Sequence, residues 1–243
     1  MRVAAVDWSG RIAGAERYIW TALASPDGDL VALEDGRNRT AVGDHLVALA
    51  DADPGLVVGL DFAFSLPVWF LDRCGYQDGM AVPEAVSEGW LRECPPPFWC
   101  RHGRRRGSEP QHRETELRVC PRARSVFQIG GAGHVGTGSL RGWPVLRRLR
   151  AAGFAIWPFD PPRLPAVVEI FPRLLTGPVV KSRRDARERY LGDRGWPPEA
   201  AVSEDAFDAA VSALVMSAHA TALAALPPEP DPVLRREGRI WSV

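Results

Sequence analysis

The feature that most constrains this chain is a pair of apolar runs that each end in a carboxylate. Val3-Ala4-Ala5-Val6 leads into Asp7 and the turn residues Ser9-Gly10, and Leu56-Val57-Val58-Gly59-Leu60 leads into Asp61. Runs without polar alternation read as strands covered on both faces, hence central in a sheet. A carboxylate ionised at the end of a buried strand is costly unless something positive meets it. Asp7 therefore either caps its turn through the local backbone or is the first ligand of a metal site.

The remaining pattern surrounds these strands with an α/β architecture. Strands over Arg17–Leu23 and Leu30–Leu33, joined by the turn Ser25-Pro26-Asp27-Gly28, make an antiparallel meander with the first run. A helix over Thr40–Ala50, with Thr40 as N-cap, precedes the second run, and Pro67 starts a short helix towards Cys74. About 75–124 reads as an irregular surface insertion in one domain spanning 1–243, marked by Pro95-Pro96-Pro97 and Arg104-Arg105-Arg106. Its arginines are either a solvated loop balanced by Glu109, Glu114 and Glu116 or a basic flap over a phosphate-bearing ligand. Ser125–Ile129 reads as a strand, followed by a glycine-rich loop and a helix from Ser139 to Ala152. Further strands are expected over Phe154–Phe159 and Ala166–Ile170, then a polar helix over Arg183–Leu191 and a buried helix from Ser203 to about Leu226. The tail from Val233 adds a strand or simply packs.

The 243 residues carry no formal net charge, so any basic surface must be local. Lys181 is the only lysine among 30 basic residues. No apolar run is long enough to span a bilayer and the N-terminus has no signal-peptide pattern, which points to a cytoplasmic protein away from membranes. Its cysteines, Cys74, Cys94, Cys100 and Cys120, are then expected to be reduced.

The acids form one candidate constellation. Asp7 and Asp61 end buried strands, Glu169 lies inside a third, and Asp205 and Asp208 share a face at the start of the last helix. Helix-dipole compensation explains Glu204 and Asp205 well and Asp208 poorly, because Asp208 lies a turn inward among apolar residues. If the first two acidic strands are parallel neighbours, Asp7 and Asp61 converge beyond their carboxyl ends. Such a cluster cannot stay ionised without cations. Oxygen-only ligands (Asp7, Asp61, Glu169 and Asp208) suit Mg²⁺ or Mn²⁺, which can activate water against a phosphodiester.

Other candidates are less specific. Ser9 belongs to a turn compatible with holding a phosphate. Gly131-x-Gly133-x-x-Gly136 is a weak dinucleotide fingerprint; its N–H groups meet an anion or the loop merely surrounds the pocket mouth. His134 either assists proton transfer or is solvated. Arg173 either steadies a phosphate or pairs with Glu169.

Five motifs in order resemble domain-of-unknown-function family 429, described as predicted nucleases. They are Val6-Asp7-Trp8-Ser9-Gly10, Gly59-Leu60-Asp61-Phe62-Ala63-Phe64-Ser65-Leu66-Pro67, Val126-Phe127-Gln128-Ile129-Gly130-Gly131-Ala132-Gly133, Val168-Glu169-Ile170-Phe171-Pro172-Arg173 and Glu204-Asp205-Ala206-Phe207-Asp208-Ala209. The resemblance spans nearly the whole chain. It implies a ribonuclease-H-like mixed sheet of five or more strands with helices on both faces. It also implies catalytic or metal-binding roles for Asp7, Asp61, Glu169, Asp205 and Asp208. The expectation is a divalent-metal-dependent nuclease acting on nucleic acid or another phosphate-bearing substrate. The alternatives are an ATPase-like phosphotransferase or a non-catalytic nucleic-acid-binding module of the same fold.

Overall fold

A computed structural model describes residues 1–100, 108–120, 123–131 and 134–243. The apolar runs form the middle of a six-stranded mixed sheet, in the order β3-β2-β1-β4-β6-β5. The strands are β1 (Val3–Asp7), β2 (Trp20–Ala24), β3 (Leu30–Glu34), β4 (Val57–Leu60), β5 (Ala155–Ile156) and β6 (Ala166–Glu169). β1 pairs antiparallel with β2 and β2 with β3, which is the expected meander. β1 pairs parallel with β4, β4 with β6 and β6 with β5. Asp7 and Asp61 thus do lie at the ends of parallel neighbours.

Side-chain alternation along these strands divides the core between two faces. Ala4, Val6, Val58, Leu60 and Val167 face a layer that includes α1 (Arg39–Ala52) and α5 (Val135–Ala151). Val3, Ala5, Val57 and Val168 face α8 (Glu204–Ala218), meeting Ala209, Ala213 and Met216. The small residues of α8 let it lie close to the sheet. Gly59 is part of that fit, because a Cβ there would stand 2.6 Å from the Met216 sulfur.

Between β4 and α5 come α2 (Val68–Cys74), α3 (Glu84–Glu93) and α4 (Glu114–Val119). The expected insertion at about 75–124 thus includes the helices α3 and α4 and buried side chains, where the sequence pattern reads as irregular surface. α3 delivers Trp90 to an aromatic cluster with Phe70 and Phe98, and α4 carries the buried Glu116 inward. The three-arginine run and its flap reading lie outside the described residues. Ser125–Ile129 is a turn rather than a strand, and its Gln128 forms an isolated parallel bridge with Trp99 outside the sheet. α5 begins at Val135, four residues before the expected start, and Asn38 rather than Thr40 caps α1. The last helix breaks at His219, and α9 (Ala220–Ala224) follows. α6 (Pro172–Thr176), α7 (Arg184–Gly192) and α10 (Leu234–Glu237) complete the described helices. The tail packs alongside β6, with Trp241 N donating to Glu169 O at 2.8 Å. The reduced-cysteine expectation fails at Cys94 and Cys100, which form a disulfide across the proline turn; Cys74 and Cys120 are free. Among the described residues no helix is long and apolar enough to cross a membrane.

Candidate active site

Strand register decides which acids meet. Asp7 continues the parity of Val3 and Ala5, and Asp61 that of Val57 and Gly59, so both turn towards the α8 face. Asp61 N donates to Val6 O at 3.1 Å, which extends the parallel ladder and sets Asp61 beside Asp7. The start of α8 brings Asp205 and Asp208 to the same place. Ser203 caps this helix by accepting from Ala206 N at 2.9 Å, and Asp208 projects from the second turn.

These acids are short of positive charge. Asp7 and Asp208 are only 8% and 7% exposed. Among the described residues Asp7 and Asp61 make no side-chain hydrogen bond or ion pair. Burial, followed by the charges of Asp61, Asp208 and Asp205, holds the Asp7 carboxyl well above its usual range. Burial and then Asp208 push Asp61 up to about 8. Asp208 rises to about 6, chiefly through burial, even though Lys181 Nζ donates to its Oδ2. Its Oδ1 is buried without a hydrogen-bond partner. Asp205 is also raised, by burial and by Glu204. Lys181 is the cation that opposes the shift at each of the four.

Glu169 does not join them. It pairs in register with Leu60, and its parity follows Val167 rather than Val168, so it emerges on the opposite face. There Arg113 grips it at 2.5 and 2.9 Å. The same guanidinium donates to Glu116 at 3.0 Å and to Glu237 O at 2.9 Å, and Phe64 N donates to Glu169 at 2.9 Å. Burial pulls the Arg113 pKa down, but Glu169 and Glu116 more than reverse this, so the arginine stays charged. Glu169 acts on Asp61 as one more negative charge, and with Arg113 and Glu116 it lines the cavity that opens beside Asp61. Of the four expected ligands Glu169 therefore stands apart from the other three, because a single residue of register changes the face it serves.

A cavity of about 510 Å³ opens beside Asp61. Trp8, Phe62 and Phe171 give it aromatic surface, and Arg11, Arg124 and His134 give it positive or protonatable groups. Ser9 lines it, though its Oγ accepts from Arg11 N at 3.3 Å. The 8–11 loop is clamped from behind. Trp8 Nε1 donates to Gly138 O at 3.1 Å, Arg39 Nη2 donates to Ser9 O at 2.8 Å, and Arg141 donates to Gly10 O. Gly10 is needed there, since a Cβ would lie 2.7 Å from Gly138 N.

The other candidates divide. His134 Nδ1 donates to Gly131 O at 2.5 Å, so Nε2 is the ring nitrogen not engaged in that bond. Gly131 has φ 77°, and Gly133 lies outside the described residues. Arg173 neither pairs with Glu169 nor lines the cavity. It is exposed and donates to Val179 O at 2.9 Å, bracing the segment that carries Lys181.

Sequence reasoning missed Arg113, Glu116 and Lys181 as site residues. A usable signal existed only for Lys181, as the single lysine of the chain.

Oxygen-rich donors, the unpartnered Asp7 carboxylate and the orphan Asp208 oxygen fit a hard divalent cation. Among the described residues, no three His, Cys, Asp or Glu side chains already stand as a metal cage. A cation would therefore have to draw the carboxylates inward. Comparisons with protein-family models, curated proteins and solved structures give no match for this chain.

Proposed function

We propose that the protein is a divalent-metal-dependent phosphodiesterase of ribonuclease-H-like architecture, acting on nucleic acid. One observation carries the reading: buried and half-buried carboxylates from two parallel strand ends and one helix share a single lysine, and among the described residues Asp7 has no hydrogen-bond or ion-pair partner. Burying that much unbalanced charge is expensive, so folding alone does not account for it. The meander followed by a helix and a parallel strand supports the architecture. The family-429 motifs support the reading further, since Asp7, Asp61, Asp205 and Asp208 come from them.

In this scheme Asp7, Asp61 and Asp208 hold Mg²⁺ or Mn²⁺, and Asp205 adds negative charge at the rim. When bound, such an ion would supply an activated water and positive charge at the leaving oxygen. The chain's own groups do the rest. Arg11 and Arg124 attract phosphate at the cavity, the aromatic walls receive a base, and the clamped 8–11 loop keeps Asp7 in place. His134 Nε2 stands at the same rim, able to take or return a proton once substrate is bound.

The test is cleavage of labelled single- and double-stranded DNA and RNA in Mn²⁺. Asp7→Asn and Asp61→Asn should each lose roughly a hundredfold or more of the rate, in line with the loss of a main catalytic electrostatic group. Cleavage that continues in both variants and in chelator would overturn the proposal.

A further inference from the structure

We infer that the Lys181 ammonium and a divalent cation are alternative occupants of the carboxylate cluster, and that the ammonium must swing out before the ion can bind. The inference rests on the metal reading of the cluster. Its own support is the placement of the side chain.

Of the 30 lysines and arginines only Lys181 is a lysine, and this one donates to Asp208 in the centre of the acids. An arginine would present a broad planar fork, whereas lysine offers a compact point charge on a flexible four-carbon stem. That stem is able to leave. Its side chain is 22% exposed and rises from 177–183, a stretch without helix or strand.

The backbone beneath it is held. The buried Arg187 donates to Lys181 O and, at 2.8 Å, to Ala201 O, while Arg173 holds Val179 O at 2.9 Å. The ammonium can therefore withdraw without unfolding its loop.

Two facts place it on the path of an ion. Asp208 Oδ2, one of the oxygens a cation would use, is already taken by Lys181, and Oδ1 has no partner. Among the described residues the acids also do not form a ready cage. A divalent ion brings twice the charge to the same carboxylates, so it can displace a monovalent one. The two cannot stay together without strong repulsion.

The wild-type protein permits a direct test. Lysine labelled at Cε gives one side-chain resonance, because the chain has one lysine. Titration with Mg²⁺ should shift and sharpen that resonance in step with binding measured by calorimetry. Calorimetry with Mn²⁺ should also show Lys181→Met binding about tenfold or more tightly than wild type, and Lys181→Arg no more tightly. An unmoved lysine signal at Mg²⁺ saturation, or equal or weaker Mn²⁺ binding by Lys181→Met, overturns the competition. Absence of Mn²⁺ and Mg²⁺ binding by both wild type and Lys181→Met overturns the metal reading beneath it.

Discussion

Two groups of buried and half-buried acids flank one sheet, and they are built on opposite terms. On the α5 side, Glu169 and Glu116 share Arg113, which is itself 1% exposed. The guanidinium directs donors to both carboxylates and to a backbone carbonyl, so the group is saturated. On the α8 side, Lys181 is the one cation that acts on all of Asp7, Asp61, Asp205 and Asp208, Arg11 adds to it only at Asp205, and an oxygen of Asp208 is buried without a hydrogen-bond partner. The first group joins α4, β6 and the tail into one structure. The second stores an unmet demand for positive charge. Burial alone would rank Glu169 above Asp61 as a functional acid; the state of hydrogen-bond satisfaction reverses that order.

Substitutions should expose the difference. The largest effect is expected for Arg113→Met, which leaves two buried carboxylates without their cation. Breaking a buried pair in this way costs about 3–5 kcal/mol. Urea melts in chelator should register it, and a loss below about 1 kcal/mol would erase the distinction between the groups. Asp7→Asn and Asp61→Asn should do the opposite in the same melts. Each removes charge that the folded state holds unfavourably, so metal-free stability at pH 8 should rise while cleavage is lost.

The pH response should sharpen the contrast. Asp61 moves from 3.8 to about 8 on folding and Asp208 from 3.8 to about 6. Over that interval the folded chain binds more protons than the unfolded one. Stability from these groups is therefore full below pH 4 and is lost as pH rises towards 8. Melting temperature in chelator should fall across this range, and less steeply in Asp61→Asn. Saturating Mn²⁺ should flatten the wild-type curve. A curve that climbs with pH would contradict the charge deficit.

The smallest effect is expected on the surface. Arg184 and Glu188 pair at 2.8 Å with 74% and 47% of their side chains exposed. Such pairs contribute about 0–1 kcal/mol, so Arg184→Ala should leave melting and cleavage nearly unchanged.

The sequence made the strand ends legible because apolar runs and their terminal acids are local signals. Asp7 and Asp61 came together as soon as β1 and β4 proved to be parallel neighbours. Asp208 was legible from its position a turn inside an apolar helix. The face that Glu169 serves was not legible for a nonlocal reason: it depends on register with β4, which a strand pattern does not encode. Arg113 sat in a polar stretch that looked solvated, since the partner that buries it lies 56 residues away. Local turn chemistry also prevailed over β propensity at Ser125–Ile129, where Ser125 Oγ accepts from Phe127 N at 3.1 Å.

Anomalous diffraction from crystals soaked in Mn²⁺ bears most directly on the proposal that the α8-side carboxylates hold a divalent ion. The account predicts an anomalous peak touching Asp7, Asp61 and Asp208, with the Lys181 ammonium turned away from Asp208. A cluster without that peak at saturating Mn²⁺, with Lys181 still donating to Asp208, would contradict it.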